Sequence, residues 1–343
     1  MRLWELGEFG LINLIRGIAA YEDSERTPCQ DVLVGIGDDA TAWKTENHIQ
    51  LATTDTMVQD IHFDLGITSW EELGWKALAV NVSDIAAMGG IPRYALLSLA
   101  LPGELDVEDI TKFTTAMAHL AREFGMALVG GNIATAPNIV ITLTVLGHSN
   151  GETILKRSTA HSGEQIAVTG YLGSSAAGLA MLKNKTTLDN EASTMLRRAH
   201  LQPMPRVREG QVLVEQGVRT AIDVSDGLLA DLDHICESSN ASAQIMVEQV
   251  PVHPMVKANF SNHQELALQG GEDYQLLFTA DNATIARAKQ ALDCPVTVIG
   301  EVTREKSATR VTVVDSQGNA VPWERGGWEH FRNGASEVRI TQP

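Results

Sequence analysis

Strand-like and helix-like segments alternate along the whole chain, which confines it to an α/β (α+β) class. Ile49–Thr54 and Ile139–Gly147 are rich in Val, Ile and Thr and read as strands. A helix is expected from Trp70 to Met88, opened by a capping box of Ser69 and Glu72 and stopped by Gly89, Gly90 and Pro92. Another is expected from Val107 to Phe124, capped by Asp106, with Ile110, Phe113, Met117, Leu120 and Phe124 on one face. Past Gly147 the pattern restarts. Gln165–Thr169 reads as a strand, and Gly170 and Gly173 turn the chain into an Ala-rich helix beginning near Ser174. Thr220–Val224 reads as a strand and Gly227–Glu237 as a helix, with a buried stripe of Leu228, Leu229, Leu232, Ile235 and Cys236. The restart and the 343-residue length fit roughly two domains. His148-Ser149-Asn150-Gly151 reads as the linker, giving domains at 1–149 and 150–333 and a polar tail at 334–343.

The formal net charge of −17 argues against nucleic-acid or anionic-membrane partners, which need clustered Lys and Arg. It leaves room for an anionic small substrate if metal ions stand between carboxylates and phosphates. Cys29, Cys236 and Cys294 are odd in number and match no zinc or redox spacing, so reduced thiols and a cytoplasmic location are expected. The start, MRLWELGEFG, carries Glu5 and Glu8 and lacks an apolar core, so it does not read as a signal peptide. No apolar run has the length of a membrane span.

Four motifs place aspartates beside small or hydroxyl residues: Gly35-Ile36-Gly37-Asp38-Asp39-Ala40, Thr53-Thr54-Asp55-Thr56, Asn81-Val82-Ser83-Asp84 and Asp223-Val224-Ser225-Asp226-Gly227. Oxygen donors of this kind suit magnesium. Taken singly, each also fits a turn or a helix cap. Asp84 stands apart, because it falls inside a helix among Ile85, Ala86, Ala87 and Met88, where a carboxylate needs a partner.

There is no Walker-type phosphate loop and no dinucleotide-binding glycine fingerprint. Ala127-Leu128-Val129-Gly130-Gly131-Asn132 reads as a strand entering a Gly-Gly turn where backbone can approach a phosphate. Gln269-Gly270-Gly271-Glu272-Asp273-Tyr274 reads as a second such turn, carrying two acids. Both also fit hairpin or bulge glycines. His62 lies just past the Asp55 segment, open to a substrate contact or a structural role. Arg197, Arg198, His200, Arg206 and Arg208 either neutralise phosphate or line a helix. No nucleophile elbow is present.

Read together, these motifs stand in the order found in thiamine-monophosphate kinases. The specific ones are Lys76-Ala77-Leu78-Ala79-Val80-Asn81-Val82-Ser83-Asp84-Ile85-Ala86-Ala87-Met88-Gly89 and Gly270-Gly271-Glu272-Asp273-Tyr274. The chain resembles that family from Gly7-Glu8-Phe9 to Gly327-Trp328-Glu329-His330-Phe331. The family belongs to the aminoimidazole-ribonucleotide-synthetase-like superfamily. The resemblance implies two α/β domains, a homodimer formed by pairing N-terminal sheets, ATP in a groove nearby and thiamine monophosphate as acceptor. It implies that Asp39, Thr53, Thr54, Asp55, Asp84, Asp223 and Asp226 hold several magnesium ions, with Asp55, Asp84 and Asp223 carrying the electrostatic work. It implies that Gly131, Asn132, Arg157 and Ser225 contact ATP, and that His62, Glu272 and Trp328 contact the thiamine phosphate. Asn132 departs from the aspartate usual there and brings no charge to a cation. The implied reaction is in-line phosphoryl transfer with no general base.

Selenophosphate synthetases and aminoimidazole ribonucleotide synthetase share this layout. The former rely on a reactive Cys or selenocysteine near a glycine-rich N-terminus, whereas Cys29 sits in an ordinary loop sequence. A hydrogenase-maturation relative ends in Cys, and this chain ends Ile340-Thr341-Gln342-Pro343. A nucleotide-binding regulator without catalysis is the alternative of a different class.

Overall fold

The structure, a computed structural model, describes residues 8, 10–14, 31–46, 48–304 and 309–323. Cys29, Trp328, the Gly327–Phe331 motif and the tail lie outside the described residues.

Two six-stranded mixed sheets carry the fold. The first contains β1 (Val32–Val34), β2 (Thr41–Lys44), β3 (Ile49–Val58), β4 (Gly90–Leu101), β5 (Ala127–Thr135) and β6 (Val140–Ser149), in the order β1-β2-β3-β6-β4-β5. Only β4 and β5 run parallel. The second contains β7 (Gln165–Thr169), β8 (Thr220–Asp223), β9 (Ser242–Met246), β10 (Leu276–Ala280), β11 (Val296–Thr303) and β12 (Val311–Val314), in the order β12-β9-β11-β7-β10-β8.

Helix α1 (Trp70–Ala87) is the element that places the site. The expected capping box opens it, with Ser69 and Glu72 satisfying each other's backbone N–H groups. Its apolar residues run almost all round, and it is covered on almost all sides, as such a pattern requires. Leu73, Leu78, Val82 and Ile85 are fully buried, each worth roughly 1.5–3 kcal/mol of transfer free energy. One side packs on β3, β4 and β6, another on α2 (Val107–Glu123), and a third reaches α5 (Val207–Gln216) and β8 of the second sheet. In α2, Phe113, Met117 and Leu120 are buried as the periodicity requires, but Asp106 makes no side-chain cap bond.

Three further expectations are corrected by the tertiary ladder. Strand β3 continues to Val58, because β6 pairs with it along its length, so Thr53, Thr54 and Asp55 lie inside the strand. His148 and Ser149 are the last residues of β6, held by pairing with Ile91 and Gly90, and are not linker. The Gly130-Gly131 pair makes no turn. Strand β5 continues through it beside β4 with a bulge at Val129, opposite Ala95–Leu96, and only glycine fits at 131, where φ is +155° and a Cβ would lie 1.7 Å from the Leu97 carbonyl oxygen.

Candidate functional site

Two adjacent residues of α1 face different sheets. Ser83 Oγ donates to Asp223 Oδ2 at 2.5 Å, reaching the end of β8. Asp84 Oδ2 accepts from Thr53 Oγ1 of β3 at 2.6 Å. Asn81, one turn earlier, accepts the Asp55 N–H at 3.0 Å, beyond Ala52 where β2 stops covering β3. Asp39 arrives from the turn between β1 and β2. One carboxylate oxygen each from Asp39, Asp84 and Asp223 then lie within 4.8 Å of one another.

Asp39 Oδ1 receives Arg157 Nη2 at 2.5 Å, and the Arg157 N–H donates to Asp38 Oδ2 at 3.1 Å. Asp39 Oδ2 is buried and has no hydrogen-bond partner. An orphaned carboxylate oxygen in a buried cluster of like charge is costly unless a cation completes it. Burial and the other carboxylates, Asp55 first, push Asp84 well above the ordinary range. Burial, then Asp39, pushes Asp223 up to about 8. Asp55 is exposed on β3, yet neighbouring protein partly desolvates its carboxylate. That desolvation, with Asp39 and Glu8, raises it to about 6. These donors fit a hard divalent cation, which prefers carboxylate and hydroxyl oxygens.

Asp226 lies in a second cluster, with Asp231 and His234 of α6 (Leu228–Ser238). Asp231 Oδ2 accepts three successive N–H groups, from Ser225, Asp226 and Gly227, at 3.1, 3.2 and 3.1 Å. It therefore fixes the loop that carries Asp226 and Ser225. Sequence reasoning passed over Asp231, although an acid in the first turn of a predicted helix was a signal. Burial, followed by Glu8, raises Asp226 to about 7.

Glu272 meets α1 two turns before Ser83. Its Oε1 lies 2.8 Å from Lys76 Nζ, and its Oε2 lies 3.3 Å from His200 Nδ1. Burial acts to raise it, but Lys76, the largest opposing influence, holds its carboxyl below the usual range. His62 accepts the Val58 N–H on Nδ1 at 2.9 Å. His200 is buried and pushed down to about 3, by desolvation first and Lys76 next, so it is neutral. Its Nδ1 also contacts Ser175 Oγ at 3.0 Å. Serine and glutamate thus share one ring nitrogen, which is not a relay geometry.

The matches to known proteins follow this layout. The model of AIR synthase related protein, N-terminal domain, matches residues 37–149, and that of its C-terminal domain matches residues 161–312. The thiamine-monophosphate kinase of Bacillus subtilis (strain 168) is 39% identical over 336 residues, 95% of this chain and 100% of that protein. The chain belongs to the thiamine-monophosphate kinase family. That of Escherichia coli (strain K12) is 36% identical over 332 residues, 95% of this chain and 98% of that protein. The solved structure of AaThiL complexed with AMPPCP and TMP superposes with a TM-score of 0.83 at 34% identity, over 96% of this chain and 99% of that one.

Within this family member, the fold does not gather every expected residue. Thr54 alternates to the opposite face of β3 from Thr53 and Asp55, and its hydroxyl donates to the Leu143 carbonyl at 2.9 Å. Gly131 and Asn132 lie on β5, three strands from β3 in the sheet order, a distance of about 14 Å at the usual strand spacing. Three arginines of the basic cluster pair with carboxylates outside the acidic cluster. Arg197 pairs with Glu72, Arg206 with Glu209 and Arg208 with Asp293. Arg197 also lines a cavity of about 660 Å³ beside Leu65 and Met181, whose lining includes none of the cluster carboxylates. Among the described residues, no helix is long and apolar enough to cross a membrane.

Proposed function

We propose that this chain transfers the γ-phosphoryl group of ATP to thiamine monophosphate, giving thiamine diphosphate and ADP. Family membership supports the substrate pair. The buried carboxylate cluster with its unpartnered Asp39 oxygen is the observation that supports the chemistry. Asp39, Asp55, Asp84 and Asp223, with Thr53, would hold magnesium ions, and Asp226 a further one. Bound there, magnesium would supply the positive charge that offsets the phosphates' negative charge.

The chain's own residues have a limited task. The attacking phosphate oxygen belongs to a monoester with a second pKa of about 6, so it is ionised at neutral pH without a base. The site agrees, since neutral His200 is shared by Ser175 and Glu272, and His62 Nδ1 is committed to backbone. Arg157 sets a fixed positive charge beside Asp38 and Asp39 and, with Ser225, serves the nucleotide. His62 and Glu272 serve the thiamine side, where a carboxylate suits a cationic thiazolium. Trp328 is assigned to the same side by resemblance alone.

The reading includes a homodimer. Edge strand β5 exposes all nine of its residues, among them Val129 and Ile133, the latter 77% accessible. A long exposed apolar edge calls for a partner. Asn132 lies on that edge, about 14 Å from the strand of Asp55. Contact between Asn132 and a nucleotide at the carboxylates therefore fits a neighbouring subunit as readily as the same chain.

Purified protein given ATP, magnesium and thiamine monophosphate is expected to produce thiamine diphosphate, and EDTA to stop it. Phosphorylation of free thiamine with none of the monophosphate would overturn the assignment.

A further inference from the structure

Lys76 is only 2% exposed, in the middle of the covered helix α1. Lysine is rarely buried unless its ammonium is paired. Its carboxylate partner, Glu272, sits on a constrained loop. Glu272 and Tyr274 take φ +64° and +48°, which L-residues hold only when their surroundings fix them. Their N–H groups donate to the Ser225 and Val224 carbonyls at 2.8 and 2.9 Å. Gly271 lets the loop close on Ser225, since a Cβ there would lie 2.3 Å from the Ser225 carbonyl oxygen. Lys76 and Ser83 are two helical turns apart and so share one face of α1. One end of that face holds Glu272, and the other donates to Asp223.

We propose that Lys76 is a positioning residue: its ammonium holds the Glu272 carboxylate and its loop in place, at a fixed spacing from the carboxylate cluster. Specificity for the cationic acceptor then depends on a residue that never touches it. His200 does not substitute for Lys76, because it is neutral and shares its nitrogen with Ser175. The proposal rests on the reading that Glu272 faces thiamine phosphate.

The test is a double-mutant cycle of Lys76→Met and Glu272→Gln in the full chain, read in two ways. In steady-state kinetics, Lys76→Met is expected to raise the KM for thiamine monophosphate about tenfold, as for loss of one charge-assisted hydrogen bond. The KM for ATP should stay nearly unchanged. In the Glu272→Gln background the same change should add nothing. In hydrogen exchange, the amides of Glu272 and Tyr274 should exchange faster in Lys76→Met, while those of β10 do not. An equal rise in KM in both backgrounds, or unchanged exchange at both amides, overturns the proposal. If Lys76→Met does not fold, Lys76→Gln decides. A rise in KM confined to thiamine monophosphate, with faster exchange at Glu272 and Tyr274, supports the role, and no change in either overturns it. If the wild-type protein does not turn over thiamine monophosphate, the functional reading fails on its own, and the exchange result alone decides whether Lys76 holds the loop.

Discussion

At the scale of single residues, the carboxylates trade folding stability for binding. Asp84→Asn and Asp223→Asn should each lower turnover on the order of 100-fold, because each removes charge that holds the transferring phosphates. In EDTA at alkaline pH the same variants should melt higher than wild type, since there each removes a like charge that the buried cluster is otherwise forced to carry. Initial rates and melting curves check both. Normal rates would make these acids turn and cap residues. Asp84 was legible in the sequence, because an acid among Ile85, Ala86 and Met88 cannot be left without a partner. Lys76 was not, because a lysine on a helix is ordinarily a solvated residue whose stem covers apolar surface. Its burial is decided by tertiary packing, which brings Glu272 to its ammonium.

At the scale of elements, periodicity located α1 and α2 to within a residue at each end, because their apolar stripes and stop signals are local. β5 shows what local signals miss. Two glycines fit a turn or a bulge, and the parallel pairing with β4 decides for a bulge inside a continuing strand. That same strand carries the prediction at this scale. Ile133→Glu places a charge on the exposed edge of β5 without disturbing a buried contact. Sedimentation of the wild-type protein should give twice the chain mass, and Ile133→Glu should shift it towards one. A monomeric wild type would remove the dimer from the functional reading.

At the scale of the whole molecule, the raised carboxylates make stability depend on pH and metal together. Asp223 at about 8, Asp226 at about 7 and Asp55 at about 6 all lie above their ordinary 3.8. Across that window the native chain keeps protons that the unfolded chain has released. Stability without metal is therefore expected to fall as pH rises, by up to about 1.4 kcal/mol per pH unit for each group. Magnesium needs the deprotonated form, so its stabilising effect should grow over the same range. Melting temperatures at pH 6 and pH 8, with EDTA and with magnesium, measure this. A magnesium effect independent of pH would separate the cation from these carboxylates.

The sequence by itself determined the kinds of element, their order, the restart after Gly147, and a motif order specific enough to name the family. Those are local properties, set by the spacing of apolar residues and by glycine, proline and capping groups. Which donors converge was decided only in three dimensions. Ser83 and Asp223 are 140 positions apart in the chain, and no periodicity encodes their contact. Periodicity says which face a residue takes, and it does not say what lies opposite. The fold therefore separates Asp226 from the Asp39–Asp84–Asp223 cluster and turns Thr54 away from Thr53. It also leaves Asn132 three strands from Asp55, because a sheet spreads its residues at a fixed spacing however close their motifs stand in a list of ligands.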